Sequence, residues 1–318
     1  MEKHQENAVV IASTARQKKY RYSEIFYSIQ GEGQYTGINS AWLRLWGCNF
    51  RCAKFGYDSK DPSTWEDKWA KIDLTDITTL EQLPVIDKSC DTQYSWDKRF
   101  RHLSHLETPV VICDLIEQEI TNKYNPEGKF VHATSGQDIH MAFTGGEPLM
   151  NQRALVSILS EFETRGNKPK FVTIETNGTQ ALKPELFNKI QGIEEELVEK
   201  ETRFKEWFWS VSPKLSASGE DFNKAVLPDV VKGYKYASNH GQLKYVVDGS
   251  KECWDEVEKA TALYRKVGIM WPVYIMPEGA TTERQERHAG EIAKQAMARG
   301  YYVSARVHTN LFGNVIGT

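Results

Sequence analysis

The sequence contains no apolar run long enough to cross a bilayer, no surplus of either charge and too few cysteines for a disulfide framework. A transmembrane helix needs about 20 consecutive apolar residues, so no membrane partner is expected. Lys and Arg number 40 against 43 Asp and Glu, a net charge of −3. That balance gives no electrostatic footprint for nucleic acid, and short basic runs such as Arg16-Gln17-Lys18-Lys19 read as solvated surface. The five cysteines are odd in number and thinly spread, unlike those of a stapled secreted scaffold. Residues 1–6 lack the apolar centre of a secretion signal. The expected setting is a reducing cytoplasm. What is there is a globular composition, 40% hydrophobic and 26% charged over 318 residues. That length can bury a full core as one large α/β domain or two small ones.

After a polar tail at residues 1–20, apolar patterning predicts strands over residues 23–29, 41–46, 139–143, 171–174, 207–211, 243–247, 273–276 and 302–307. Helical spacing falls between them: Leu155, Ile158, Leu159 and Phe162 up to Gly166, then Val257, Ala260 and Tyr264. A charged helix is expected near residues 193–200, and another entered at Thr282, where Gln285 completes a capping box. Two stretches break the alternation. Residues 53–89, rich in Lys, Asp, Pro and Trp, read as an inserted excursion, and residues 216–240 as a second, irregular one. Repeated βα units imply a mainly parallel sheet with helices outside, whose sites gather at the carboxyl ends of the strands.

The conspicuous motifs fall there. Residues 44–52 end a strand and then set Cys48 and Cys52 four positions apart. Thr144-Gly145-Gly146-Glu147-Pro148, Glu175-Thr176-Asn177-Gly178-Thr179, Ser212-Pro213-Lys214 and Met276-Pro277-Glu278-Gly279 each follow a strand. Singly, such Gly, Pro and Asn residues are turn punctuation as readily as function, and a free cysteine is often a small buried hydrophobe. Five such loops at one end of one sheet point to a site. Cys113, in an apolar run, and Cys253, beside Trp254, read as packing residues, and His102, His105 and His132 have no ligand-like spacing.

With its cysteines and Gly-Gly-Glu-Pro turn, the chain resembles the radical S-adenosylmethionine superfamily. There a third cysteine normally stands three positions after the second, where this chain has Phe55; Cys90, opening Cys90-Asp91-Thr92, takes its place after the insertion. Three thiolates on a 4Fe–4S cluster leave one iron open. Gln30-Gly31-Glu32-Gly33 and Cys90-Asp91-Thr92 narrow the resemblance to the 7-carboxy-7-deazaguanine synthases. It implies a partial (modified) TIM-like barrel forming a single domain over residues 21–318. It implies conversion of 6-carboxy-5,6,7,8-tetrahydropterin to 7-carboxy-7-deazaguanine with release of ammonia. A 5′-deoxyadenosyl radical from S-adenosylmethionine takes hydrogen from C6, the ring contracts, and hydrogen returns. Mg2+, an electron donor such as flavodoxin or ferredoxin, and a homodimer are implied as well. Two other readings keep the cluster motifs in view: an activase that installs a glycyl radical, and a non-catalytic relative.

Residue by residue, the resemblance gives Cys48, Cys52 and Cys90 as cluster ligands and Thr92 as the magnesium ligand. Ser89, Asp91, Gly145, Gly146, Glu147, Glu175, Ser212, Pro213, Lys214, Met276, Pro277, Glu278 and Gly279 match cofactor-holding positions. Ile29, Gln30, Gly31, Arg44, Thr144, His308 and Thr318 match substrate positions, and Arg44, Thr92, Glu175 and His308 are the candidate catalytic set. Arg44 also makes independent sense, because a guanidinium fork pairs bidentately with a carboxylate. Its alternative is a strand arginine facing solvent. His308 reads equally as a structural histidine, and Glu175 as a turn cap.

Overall fold

The computed structural model describes residues 18–193, 204–279, 281–313 and 315–317. The chain lays down β1 (Tyr20–Ile29), β2 (Asn39–Leu45), β3 (His105–Glu107), α1 (Pro109–Ile120), β4 (His140–Gly145), α2 (Gln152–Thr164), β5 (Phe171–Thr176), α3 (Pro184–Gln191) and β6 (Glu206–Val211). It continues with α4 (Phe222–Ala225), α5 (Pro228–Ala237), β7 (His240–Val247), α6 (Lys251–Lys266), β8 (Val273–Pro277), α7 (Thr282–Ala298), β9 (Tyr302–Val303) and α8 (Val307–Phe312). The strands join in one sheet, ordered β3-β1-β2-β4-β5-β6-β7-β8-β9. β1 runs antiparallel to both its neighbours, and every pairing from β2 to β9 is parallel. The sheet does not close, so the architecture is the expected partial barrel.

Strand periodicity sorts the two faces. Leu43 and Leu45 of β2, Met141 and Phe143 of β4, Val172 and Ile174 of β5, Trp209 and Val211 of β6, and Leu243 and Tyr245 of β7 enter the main core. There they meet Ile112 and Ile116 of α1, Leu155 and Phe162 of α2, and Val257 and Tyr264 of α6. Intervening residues face the other way, since successive side chains alternate across a strand. They are Trp42 and Arg44, Thr144, Glu175, and Lys244 and Val246, all lining one cavity. One register thus builds the core and the site together.

Three elements depart from expectation. Residues 105–120 form β3 and α1, which the apolar pattern did not signal; the cue was Thr108, whose side chain caps Val111 N, followed by Pro109 at the first helical position. Residues 216–240 are not irregular: they hold α4 and α5, the latter starting at Pro228. The last strand spans only Tyr302–Val303, because Ser304 N turns to Ile275 O at 2.8 Å and Arg306 is drawn into the cavity wall. Residues 1–17 of the tail, the helix expected near 193–200 beyond Ile193, the side-chain cap of Thr282 and Gln285, and Thr318 lie outside the described residues.

The first insertion is a series of 3-10 turns at Pro62–Thr64, Lys68–Lys71 and Leu80–Gln82. Asp61 and Asp67 cap the first two through Ser63 N and Ala70 N. Trp69, Leu80 and Leu83 from these turns meet Tyr94, Phe100 and Leu103 in a second buried core. Phe100, fully buried there, makes that core testable. Phe100→Ala should cost about 3–5 kcal/mol by leaving a cavity, read by urea melts as a loss from the single main transition. A separate early transition would mean that this core folds apart from the sheet.

Candidate active site

The loops after β2, β4, β5, β6 and β8 converge at the carboxyl ends of the strands around a cavity of about 270 Å3. The cysteine loop is fastened on all sides. Gly47 N donates to Ser95 O at 2.9 Å and Glu147 N to Gly47 O at 2.8 Å. Asn177 Nδ2 reaches Asn49 Oδ1 at 2.9 Å, while Arg51 N and Cys52 N both donate to Glu220 Oε1 at 2.8 Å. Cys48, Cys52 and Cys90 all line the cavity, all are free, and they gather around Phe50, Phe55 and Ala225. Cys52 and Ser89 are the non-glycine residues with positive φ among the described residues, at 50° and 67°. Backbone in that sparsely populated region persists where its surroundings hold it, and here it brackets the insertion.

Burial dominates the thiols. It pushes Cys48 up to about 12, and it raises Cys52, with Cys90 beside it, and Cys90, with Asp91 beside it. Without metal these sulfurs stay protonated, and only coordination would make them thiolates. The surroundings fit a cluster. Lys214 acts as the nearby positive charge on Cys48 and Cys52, and the Trp96 indole, on the cavity wall, acts as a side-chain donor toward Cys90. Hydrogen bonds to cluster sulfurs are the kind of contact that such a donor makes. Among the described residues no group of three His, Cys, Asp or Glu side chains is arranged for a single metal ion. Thiolates that each bind a different iron do not need that arrangement.

The Gly-Gly pair is dictated by the cysteine loop itself. A Cβ on Gly145, whose φ is 150°, would lie 2.2 Å from Leu45 O, and one on Gly146 would lie 2.5 Å from Cys48 Cβ. Glu147 and Pro213 do not line the cavity. Glu147 is fully buried and works as a strut: Oε1 accepts from Thr176 Oγ1 at 2.8 Å and Leu149 N at 3.0 Å, and Oε2 from Asn177 N at 2.7 Å. Burial nevertheless lifts its carboxyl to about 7. Ser89, Asp91, Thr92, Ser212, Lys214, Met276, Pro277, Glu278, Gly279, Gly145 and Gly146 all line the cavity, as do Ile29, Gln30, Gly31, Arg44, Thr144, Glu175 and His308.

Arg44 does not face solvent. Its Nε pairs with Glu24, its cross-strand neighbour, and Glu24 Oε1 also accepts from Tyr94 Oη at 2.8 Å. The guanidinium carbon lies 5.8 Å from the centroid of the Phe26 ring, no hydrogen-bond partner of the two terminal nitrogens is found among the described residues, and Arg44 lines the cavity. Gln30 is committed at both ends, Nε2 to Glu175 Oε1 at 3.1 Å and Oε1 to Glu32 N at 3.0 Å. Thr92 Oγ1 lies 3.5 Å from Cys90 Sγ. His308 sits against Gly31, where a Cβ would lie 1.7 Å from its Nδ1. Burial, opposed by Glu32, pushes its ring down to about 4, so His308 is neutral at physiological pH.

Three wall residues escaped the sequence reading. Glu32, Lys244 and Arg306 line the cavity within one chain of ion pairs. Arg306 Nη2 meets Asp91 Oδ2 at 3.0 Å, Arg306 Nε meets Glu32 Oε1 at 3.0 Å, and Lys244 Nζ joins Glu32 to Glu175 Oε2, the latter at 3.0 Å. Glu175 is therefore no turn cap: its Oε2 also accepts from Ser210 Oγ at 2.9 Å. The available signal was the charged Glu32 in the Gln-Gly-Glu-Gly turn and Lys244 in the middle of an apolar strand.

A mainly parallel half-open sheet with a cysteine loop and a glycine pair at its carboxyl end is the arrangement that the resemblance to the radical S-adenosylmethionine class implies. Comparison narrows this: the chain resembles 7-carboxy-7-deazaguanine synthases over more than nine-tenths of its length. It is 28% identical to the enzyme of Rhodopirellula baltica, covering 93% of this chain and 88% of that one. The enzyme of Pyrobaculum aerophilum is 24% identical, with coverage of 94% and 97%, and that of Halobacterium salinarum 26%, with 92% and 90%. The crystal structure of QueE from Escherichia coli overlays with a TM-score of 0.49 at 17% identity, covering 91% of this chain and 95% of that one. No protein-family model matches the chain.

Glu147 gives a pH signature. The folded carboxyl keeps its proton to about 7, against 4.5 for an ordinary glutamate, so the folded state binds more protons across that window. This contribution to stability is present below the lower value and lost as pH rises through the upper one. In cluster-free protein, wild type should lose stability between about pH 5 and pH 8, and Glu147→Gln should lose less. Parallel urea-melt profiles for the two proteins would remove Glu147 as the source.

Proposed function

We propose that the chain is a 7-carboxy-7-deazaguanine synthase, contracting the ring of 6-carboxy-5,6,7,8-tetrahydropterin with release of ammonia. The observation that carries this reading is the shared cavity, where three free thiols and the open end of Arg44 face the same space. Cys48, Cys52 and Cys90 would hold a 4Fe–4S cluster, which when bound supplies the electron that opens the sulfonium of S-adenosylmethionine. The loops at Ser212–Lys214, Met276–Gly279 and Gly145–Gly146 would cradle that cofactor. Phe26 and Trp42, stacked at 5.7 Å on the cavity wall, offer an aromatic floor to the pterin. Arg44 takes its carboxylate end-on, while neutral His308 offers a ring nitrogen. Glu32 and Glu175, both saturated by Lys244, hold charge in place and leave proton transfer to others. Thr92 would contribute a hydroxyl to a magnesium ion that keeps most of its water.

We further assign residues 21–318 to one domain, a cytoplasmic setting and a flavodoxin- or ferredoxin-type electron donor. No helix among the described residues is long and apolar enough to cross a membrane. The exposed side chains of Tyr302 on β9 and of Leu311 and Phe312 on α8 are the surface assigned to a second copy in a homodimer.

Anaerobic reconstitution with iron and sulfide, followed by assay with the carboxytetrahydropterin, tests the proposal. Cys90→Ser should lose the brown chromophore and S-adenosylmethionine cleavage, whereas Cys113→Ser, buried against Ile158 O, should keep both. The reverse pattern would give the third ligand to the wrong cysteine.

Arg44 tests the substrate. Arg44→Lys keeps a charge beside Glu24 but loses the planar fork, and should weaken pterin binding roughly ten- to a hundredfold, about 1.5–3 kcal/mol. A tetrahydropterin without the carboxylate should bind wild type weakly and lose little more in the variant. Additive losses around this double-mutant cycle would separate Arg44 from the carboxylate.

A further inference from the structure

We infer that Trp69, inside the first insertion, is a positioning residue that holds the third cysteine in register with the other two. The inference rests on the cluster reading above and gives the insertion a task. Residues 53–89 separate Cys52 from Cys90, so the short chain connection that would keep the third thiol beside its partners is gone. Closing a longer loop costs more conformational entropy, and the position has to be recovered by contacts.

The contacts are present. Trp69 Nε1 donates to Cys90 O at 3.0 Å, the oxygen that Gln93 N approaches at 3.3 Å. Ser89 N, in the strained backbone just before Cys90, donates to Phe55 O at 2.6 Å, which ties the end of the insertion to its beginning. Trp69 is held from behind. It is 1% exposed, its ring lies edge-on to Phe100 at 5.3 Å and tilted to Tyr94 at 5.9 Å, and Asp67 caps its turn through Ala70 N at 3.0 Å. Tyr94 in turn donates to Glu24, the partner of Arg44. One indole therefore backs both the third thiol and the arginine of the cavity wall. The fold has exchanged local connectivity for a buried aromatic ring and one aimed N–H.

The test uses the full chain in cluster-free form. Trp69→Phe keeps an aromatic ring and removes the donor. Site-resolved iodoacetamide labelling, followed by mass spectrometry, should find Cys90 alkylated about fivefold faster, the factor that a hydrogen bond of about 1 kcal/mol contributes. Cys48 and the core Cys113 should label as in wild type. Asp67→Ala, which frees the turn that carries Trp69 together with the Asp67 bonds to Gln93 and Arg99, should produce the same Cys90-selective change if Trp69→Phe folds poorly. After reconstitution, both variants should hold less iron per chain than wild type. Unchanged Cys90 labelling, or an equal acceleration at Cys48, Cys90 and Cys113, overturns the inference and leaves Trp69 as core packing alone. A wild type that takes up no iron would sink the cluster reading instead, while the labelling still judges Trp69.

Discussion

The cavity depends on an alternating line of charge that runs from the half-exposed Asp91 through the more buried Arg306, Glu32, Lys244 and Glu175 and crosses its wall from the third-cysteine loop to β5. Burying any of these groups alone would be costly, and each is tolerable because a neighbour of opposite sign is in hydrogen-bonding contact. Burial works against Glu32, yet Lys244 and Arg306 hold its carboxyl well below the usual range. Lys244 is likewise desolvated, and Glu175 and Glu32 hold its proton firmly. Such a line gains little net stability over an apolar wall of equal volume. Its effect is geometric: removing one member strands the next, so the segments that carry them have one compatible arrangement.

Those segments are the ones that the proposed cluster and its cofactor would use. Arg306 also donates to Gly279 O at 3.3 Å, so a single guanidinium touches the third-cysteine loop, the β1–β2 turn and the loop after β8. The same logic runs through Glu147 and Glu220, two carboxylates whose lone pairs are spent on backbone N–H groups of the site loops. Backbone donors that would be unsatisfied at loop bends are thereby paired. In both places the acidic residue arranges backbone and leaves ligand contact to its neighbours.

What was legible in the sequence follows from range. Seven of the parallel and antiparallel strands declared themselves because period-two apolar patterning is a local property, and β2, β4, β5 and β7 match within a few residues. The Gly-Gly pair and the cysteines were readable as motifs, and close packing against Leu45 and Cys48 also requires the glycines. The early end of the final strand and the ion pairs were not legible. Arg306 sits 274 residues from Glu32 and 215 from Asp91, and Lys244 lies 212 from Glu32. No local pattern in the chain connects charges over such separations. The early end of β9 follows from the same cause, since continuing the strand would carry Arg306 away from them.

This separation also bears on how a cysteine can migrate within a motif. A ligand fixed by neighbours in sequence has its position set by a few dihedral angles. A ligand fixed by an indole, a strained serine and a distant arginine has its position set by tertiary structure. On the proposed reading, the second arrangement would make the metal site more dependent on the fold, because Cys90 is held by contacts with the buried Trp69 and its neighbour Asp91 by Arg306. It also relaxes the constraint on loop length: once the anchors exist, each doubling of the intervening chain adds only about 0.6 kcal/mol of closure entropy. An insertion of this size is compatible with the proposed cluster loop because its ends are tied together at Phe55 and Ser89.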